Sequence, residues 1–227
     1  MNQSAYYPLF LDLSQSACLV VGGGEVGRRK LASLLDCGVR AVLVLDTAPP
    51  DDMLAALLAR PGVTFRQRGF DDADLDGRAL VFAATGDAAA NARIAAACLA
   101  RGILCNRVDA PRDGSCIVPA SARAGALTAA LSTGGASPAL ARLWKGELEA
   151  WLRPRAGMAA LMGRLRPLVL ALHQDTGQNT RLFRSIAHSS LQDALLQGDR
   201  RACEDILSQL LPPPLRGRIP ELLHELF

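Results

Sequence analysis

The sequence predicts an α/β fold built on a doubly wound parallel sheet, and three features carry that prediction. Short apolar runs alternate with helical patterns from residue 17 to residue 108. The first run, Ala-Cys-Leu-Val-Val, feeds a glycine-rich turn at Gly22, Gly23, Gly24 and Gly27 that opens a helical pattern. The second run, Ala-Val-Leu-Val-Leu, ends in an acid, Asp46.

Taken in order, residues 17–21 read as a buried strand and 26–35 as the helix after it, closed by Cys37-Gly38. A second strand at 41–45 is followed by a helix at 51–60, which starts after Pro49-Pro50. Residues 63–66 form a short strand and 79–84 a stronger one. The alanine-rich stretch 88–101 reads as a helix stopped by Gly102, and 103–108 as a further strand. Two segments with no helix between them, 115–119 and 126–132, read as strands of an antiparallel extension or a pairing surface. From Pro138 the pattern turns helical, with Ser137 suited to the N-cap and Pro138 to the first helical position. Residues 156–172, 179–197, 200–211 and 219–227 then read as short helices split by Gly and Pro.

Half of the 227 residues are hydrophobic and no apolar run is long enough to span a membrane, so a globular protein without a membrane partner is expected. The opening MNQSAYYPLF lacks the basic region and long apolar stretch of a signal peptide. A net charge of +3 leaves no footprint for nucleic acid. The six cysteines are scattered, several within apolar runs, which points to buried thiols in a reducing cytoplasm rather than to disulfides or zinc. Charge is unevenly spread: residues 1–150 hold 15 basic and 15 acidic side chains and no histidine. Residues 151–227 hold ten arginines, no lysine, seven acids and all three histidines, which supports a boundary near 150.

The glycine spacing has a specific chemistry. The first glycine permits a tight turn and the second lets backbone N–H groups approach a pyrophosphate. The third lets the helix pack close to the strand, so that the helix N-terminus faces the anion. Asp46 stands where an acceptor for a ribose 2′-hydroxyl belongs, and its charge would repel a 2′-phosphate, so NAD is favoured over NADP. Ligands of such sheets bind beyond the carboxyl ends of strands, where four groups fall: 22–26, Asp46-Thr47, 84–87 and 106–109. Thr85 and Asn91 are placed to line the nicotinamide side, while Asp87 suits a helix cap equally well.

With no histidine in residues 1–150, an ordinary alcohol dehydrogenase is poorly supported. A carboxylate is the better proton acceptor, and Asp109, just past a strand end, is the best placed. Spacing alone leaves open a turn-forming role for it in Asp-Ala-Pro. The loop from Ser132 through Thr133, Gly134 and Gly135 offers backbone N–H groups to an anion, and Arg142 follows on the next helix. An ordinary turn with an N-cap explains the same residues. Trp144 and Trp151, seven residues apart, share a helix face that would anchor a subunit contact or pack in the core. His173, His188 and His224 lack the spacing of metal ligands.

Several motifs occur together in one order: Tyr7-Pro-Leu-Phe-Leu-Asp-Leu13, the triple glycine with Glu25-Val26, Arg29-Lys30, and Ala83-Ala-Thr85. Then follow Cys105-Asn-Arg-Val-Asp-Ala-Pro111, Ile117-Val-Pro119, Ser132-Thr-Gly-Gly-Ala-Ser-Pro138 and Ala141-Arg-Leu143. Over residues 6–152 the chain closely resembles the precorrin-2 dehydrogenases of the siroheme synthase N-terminal family. The resemblance implies NAD⁺-dependent oxidation of precorrin-2, a tetrapyrrole rich in carboxylates, to sirohydrochlorin. It further implies a cytoplasmic homodimer with a Rossmann-like NAD-binding domain (1–114), a dimerisation region (115–150) and an α-helical C-terminal domain (151–227). The family's essential aspartate falls on Asp109 and its NAD contacts on Glu25-Val26 and Asp46-Thr47; Asn106 and 132–135 are the expected substrate-binding residues beside Arg142. Some members also insert ferrous iron with the same aspartate, making Asp109 the one candidate metal ligand. Where one member carries a phosphorylated serine, this chain has Thr133. Two other readings are a non-catalytic NAD-binding regulator and a sirohydrochlorin ferrochelatase with a vestigial NAD site. Backbone N–H groups at Gly134 and Gly135, with Arg107, Arg112 or Arg142, are the expected holders of substrate carboxylates.

Overall fold

The computed structural model describes residues 6–173 and 175–227, which divide into two compact units, Tyr6–Val118 and Pro119–Phe227.

In the first unit five strands form one parallel sheet: β1 (Ala17–Val21), β2 (Ala41–Asp46), β3 (Val63–Gln67), β4 (Arg78–Ala83) and β5 (Leu104–Arg107). Their spatial order is β3-β2-β1-β4-β5, so the chain reverses its direction of travel across the sheet between β1 and β4. Each central strand is apolar on both faces because both are covered. Cys18, Val20, Val42, Val44 and Phe82 meet Leu31 and Leu34 of α1 (Glu25–Asp36) and Leu54 of α2 (Asp52–Leu58). On the opposite face Leu19, Val21, Leu43, Leu45 and Val81 meet Ile94 and Cys98 of α3 (Ala88–Ala100). The expected strands and helices up to residue 108 are therefore present within a few residues. Between β3 and β4 the chain makes only a 3₁₀ turn, Asp72–Leu75, whose Leu75 is fully buried.

The strand expected at 115–119 is absent, and side chains explain why. The Ser115 hydroxyl accepts the Cys105 N–H at 2.8 Å, and the Asn106 amide donates to the Cys116 carbonyl at 3.1 Å. Groups that a strand ladder would use are thus already bonded, and Pro119 has no N–H to offer.

In the second unit β6 (Ala120–Ala124) and β7 (Leu127–Leu131) pair as an antiparallel hairpin separate from the main sheet. Gly125 at φ 55° opens its two-residue turn, where a side chain would be strained. Helix α4 (Pro138–Leu152) follows, and Ser137 caps it by accepting the Leu140 N–H at 3.2 Å. The remaining chain forms α5 (Ala156–Leu170), α6 (Thr176–Ala187), α7 (Leu191–Gln197), α8 (Arg200–Leu210), α9 (Pro213–Arg216) and α10 (Ile219–Leu222). Leu161, Leu165, Ile186, Leu191, Cys203 and Leu207 centre its own core. The single helix expected over 179–197 is broken by Ser189, whose hydroxyl donates to the Ile186 carbonyl at 2.8 Å and accepts from Leu191 N–H at 3.3 Å. Among the described residues, no helix is long and apolar enough to cross a membrane.

Candidate dinucleotide and proton-transfer site

A cavity of about 550 Å³ opens at the carboxyl ends of β1, β2 and β4, beside the reversal in strand order. That is where sheets of this kind hold ligands, and the volume lies within the range of about 300–1,000 Å³ usual for small-molecule sites. Gly22, Gly24, Asp46, Thr47 and Thr85 line it. Gly23, Glu25 and Val26, also expected at the cofactor, do not.

The glycines act as their spacing requires. Gly22 has φ +101°, and a Cβ there would stand 2.3 Å from the Ala84 carbonyl oxygen. The chain crosses β4 that closely only because no side chain intervenes. At Gly27 a Cβ would meet the Gly22 oxygen at 1.8 Å, so the start of α1 packs directly on the turn. Around Gly24 the space is open, with no atom within 4 Å of a hypothetical Cβ. Gly24 caps α1 with no side-chain hydrogen bond, whereas Asp51 and Asp87 cap α2 and α3 through the Leu54 and Ala89 N–H groups at 2.9 and 2.8 Å. The uncapped first turn leaves backbone donors and the positive end of the helix dipole for an anion.

Asp46 is oriented from both sides. Its Oδ2 accepts the Gly23 N–H at 2.5 Å and its Oδ1 accepts the Ala48 N–H at 2.8 Å. The Gly23 N–H therefore helps to aim the carboxylate. A carboxylate has about four acceptor positions, so about two remain for a ribose diol. The open space at Gly24, the uncapped helix and the aimed carboxylate together fit an NAD-type dinucleotide.

The second feature is a buried amide. Asn91 on α3 is fully buried, and its Oδ1 accepts both the Thr85 N–H at 3.1 Å and the Thr85 hydroxyl at 2.7 Å. Its Nδ2 donates to the Thr85 carbonyl and to Asp109 Oδ1, each at 3.1 Å. The expectation that Asn91 lines the cleft is thus corrected: it lies behind the wall and ties the cavity residue Thr85 to Asp109. Its sequence signal was position, since Asn91, Ile94, Ala95 and Cys98 form the buried stripe of an otherwise bland helix. A polar group in such a stripe has to be hydrogen-bonded. Replacing Asn91 with Leu removes all four bonds at similar volume, and is expected to cost about 1–3 kcal/mol of stability. Chemical denaturation monitored by circular dichroism measures that loss.

Asp109 is paired with Arg107, which donates from Nε to Oδ1 at 3.1 Å and from Nη2 to Oδ2 at 2.9 Å. The same guanidinium also reaches Asp113 Oδ2 at 3.1 Å and the Ala88 carbonyl at 3.3 Å. Arg107, expected as a holder of substrate carboxylates, is instead engaged within the fold. The guanidinium, helped by the Asn91 amide, holds the Asp109 carboxyl below the usual carboxylate range, against a smaller opposing effect of burial. Asn106 is a further correction. It is buried, and its amide secures the 115–116 segment instead of facing a cleft.

The remaining expected residues belong to the second unit. Gly134 and Gly135 have φ 61° and 85°, and the Gly134 N–H is taken by the Ser132 hydroxyl at 3.1 Å. Thr133 Oγ1 accepts the Ser137 N–H at 3.2 Å, which fixes the entry to α4. Arg142 is exposed on the second turn of that helix. Trp151 is 55% exposed and Trp144 38%, so the core-packing alternative for this face fails.

Comparison with known proteins agrees with this geometry. Residues 9–120 match a family described as "Putative NAD(P)-binding". The chain is 38% identical over 207 residues to a siroheme synthase of Pseudomonas entomophila (strain L48), covering 91% of this chain and 44% of that protein. It is 36% identical over 215 residues to a siroheme synthase of Enterobacter sp. (strain 638), covering 94% of this chain and 47% of the relative. The chain thus spans less than half the length of these relatives. Among solved structures, SirC, a precorrin-2 dehydrogenase, superposes with a TM-score of 0.73 at 24% identity, covering 90% of this chain and 98% of SirC. That likeness shows the fold. Residues 9–120 are thus similar to this NAD(P)-binding family, and over most of its own length the chain is similar to part of the siroheme synthases.

Proposed function

We propose that this protein is an NAD⁺-dependent dehydrogenase that oxidises precorrin-2 to sirohydrochlorin, with Asp109 accepting the proton released. The observation that carries the reading is the tether through Asn91, which holds an ionised carboxylate 3.1 Å from an amide that also anchors the wall of the dinucleotide cavity. Bound NAD⁺ supplies the hydride acceptor. Asp46 takes the ribose hydroxyls, and the first turn of α1 faces the pyrophosphate. An aspartate is ionised at neutral pH, and Arg107 orients this one through two hydrogen bonds, so the base needs no histidine.

In the second unit, the loop at Ser132–Gly135 and Arg142 are the proposed holders of substrate carboxylates. The proposed contact between two copies is residues 115–150, where Leu140, Leu143 and Trp144 of α4 are exposed, with Trp151 exposed next to it at the start of the helical domain 151–227. The protein is proposed to act as a homodimer in the cytoplasm.

The test is anaerobic incubation with precorrin-2 and NAD⁺, following sirohydrochlorin and NADH absorbance. Wild type that binds NAD⁺ but turns over no tetrapyrrole would sink the dehydrogenase reading in favour of a nucleotide-binding regulator. Adding Fe²⁺ to the same incubation reads whether the product is metallated. A pH profile tests the role of Arg107. A carboxyl group held below its ordinary range stays ionised to lower pH, so removing the cation raises the value. The acid limb of kcat/KM in Arg107→Ala is therefore expected at higher pH than in wild type; an unmoved limb would refute the pairing as the cause.

A further inference from the structure

Two arginines that line the dinucleotide cavity, Arg68 and Arg93, have no part in the reading so far; Arg93 donates to the Phe70 carbonyl at 2.9 Å. Arg68 lines the same wall as Asp46 and Thr47. Strand register pairs Asp46 with Gln67, whose side-chain amide donates to the Thr47 carbonyl at 3.4 Å, so Arg68 follows directly on the partner of the ribose carboxylate. An arginine at this end of a dinucleotide cleft is the group that accommodates a 2′-phosphate. Here its fork is already engaged. Nη1 donates to Asp74 Oδ2 at 2.8 Å and to the Gly69 carbonyl at 2.9 Å, while Nη2 donates to Asp74 Oδ1 at 2.6 Å.

Asp74 is the unusual partner. It sits in the 3₁₀ turn between β3 and β4 and is only 5% exposed. Its Oδ2 also accepts the Asp71 N–H at 2.9 Å, which completes a reciprocal cap. Were Arg68 to turn toward a phosphate, it would abandon a buried carboxylate, and an unpaired buried charge is costly. A bidentate guanidinium–carboxylate pair is also among the strongest and most directional of charged contacts.

We propose that Asp74 is a specificity residue for the dinucleotide: by holding Arg68 in a bidentate pair, it keeps the cation beside Asp46 from turning to a 2′-phosphate. NAD is then selected twice over, by the charge of Asp46 toward the ribose and by the sequestration of Arg68 behind it. The inference rests on the dinucleotide reading of the cavity, and is independent of which substrate is oxidised.

Calorimetric titration of NAD⁺ and NADP⁺ into wild type and Asp74→Asn tests it. Asparagine keeps the acceptor for the Asp71 N–H but removes the charge that binds Arg68. The NADP⁺/NAD⁺ affinity ratio is expected to rise by about tenfold, the worth of one new charged hydrogen bond. Adding Arg68→Ala to that variant should return the ratio to its wild-type value. An unchanged ratio in folded Asp74→Asn overturns the proposal. Where that variant does not fold, a crystal structure of wild type with 2′-AMP in the cavity decides: Arg68 still on Asp74 supports sequestration, and Arg68 turned to the phosphate refutes it. Wild type that binds neither dinucleotide overturns the reading of the cavity itself and this inference with it, a failure distinct from an unchanged ratio.

Discussion

Alanine in place of Gly27 is expected to cost the first unit more than about 3 kcal/mol, because overpacking of even a yielding core costs about 1–3 kcal/mol. Here the obstacle is backbone. The added Cβ would lie 1.8 Å from the Gly22 oxygen and 3.5 Å from Val20 Cγ1, with β1 behind both. Relief requires α1 to lift off the sheet, which opens the packing of Leu31 and Leu34 on Val20 and Val42. A Tm lower by about 10 °C or more in scanning calorimetry is the expected reading, together with loss of NAD⁺ binding. Alanine at Gly24, where no atom lies within 4 Å, is the contrasting case. Its added methyl group is expected to leave Tm unchanged and to weaken only the nucleotide. Equal thermal losses in both variants would refute the division of labour between these glycines.

Asp109→Ala is expected to lower kcat by about 10²–10⁴-fold, the usual worth of a positioned general base. Stability should change little, since the side chain lies at the surface just past β5, its partner Arg107 keeps Asp113, and its other partner, the Asn91 amide, keeps the Thr85 carbonyl. Single-turnover NADH formation from precorrin-2, beside NAD⁺ affinity measured separately, distinguishes a lost base from a lost cofactor. Full activity in a folded Asp109→Ala protein would remove Asp109 from the mechanism. Asp109→Asn is the sharper comparison, because it keeps an oxygen for the Asn91 amide while abolishing the base.

The two experiments probe parts of the molecule that were unequally legible in the sequence. Gly22, Gly24, Gly27 and Asp46 declared themselves because their work is local: a turn, a close approach and a strand end are all encoded within one strand–helix–strand unit. The failures share a different cause. Residues 115–119 are apolar enough for a strand, but Ser115 and Asn106 bond the groups a ladder would use, and Asn106 comes from another segment. Arg107 looked like a free cation for substrate until Asp109, Asp113 and the Ala88 carbonyl were found around its guanidinium. The helix break at Ser189 depended on one hydroxyl bonding the Ile186 carbonyl, which periodicity does not register.

By itself, then, the sequence determined the order of strands and helices along the chain, the glycine turn and the acid that ends β2. These depend on period, backbone freedom and charge at neighbouring positions. Only the tertiary structure decided which polar groups serve one another. Asn91 reaches across 18 residues to Asp109, and Arg68, though it lines the cavity, commits its guanidinium to Asp74. The physical reason is that a buried hydrogen bond must be satisfied by whatever packing brings near, and packing is a property of the folded sheet, written nowhere in a local window of residues.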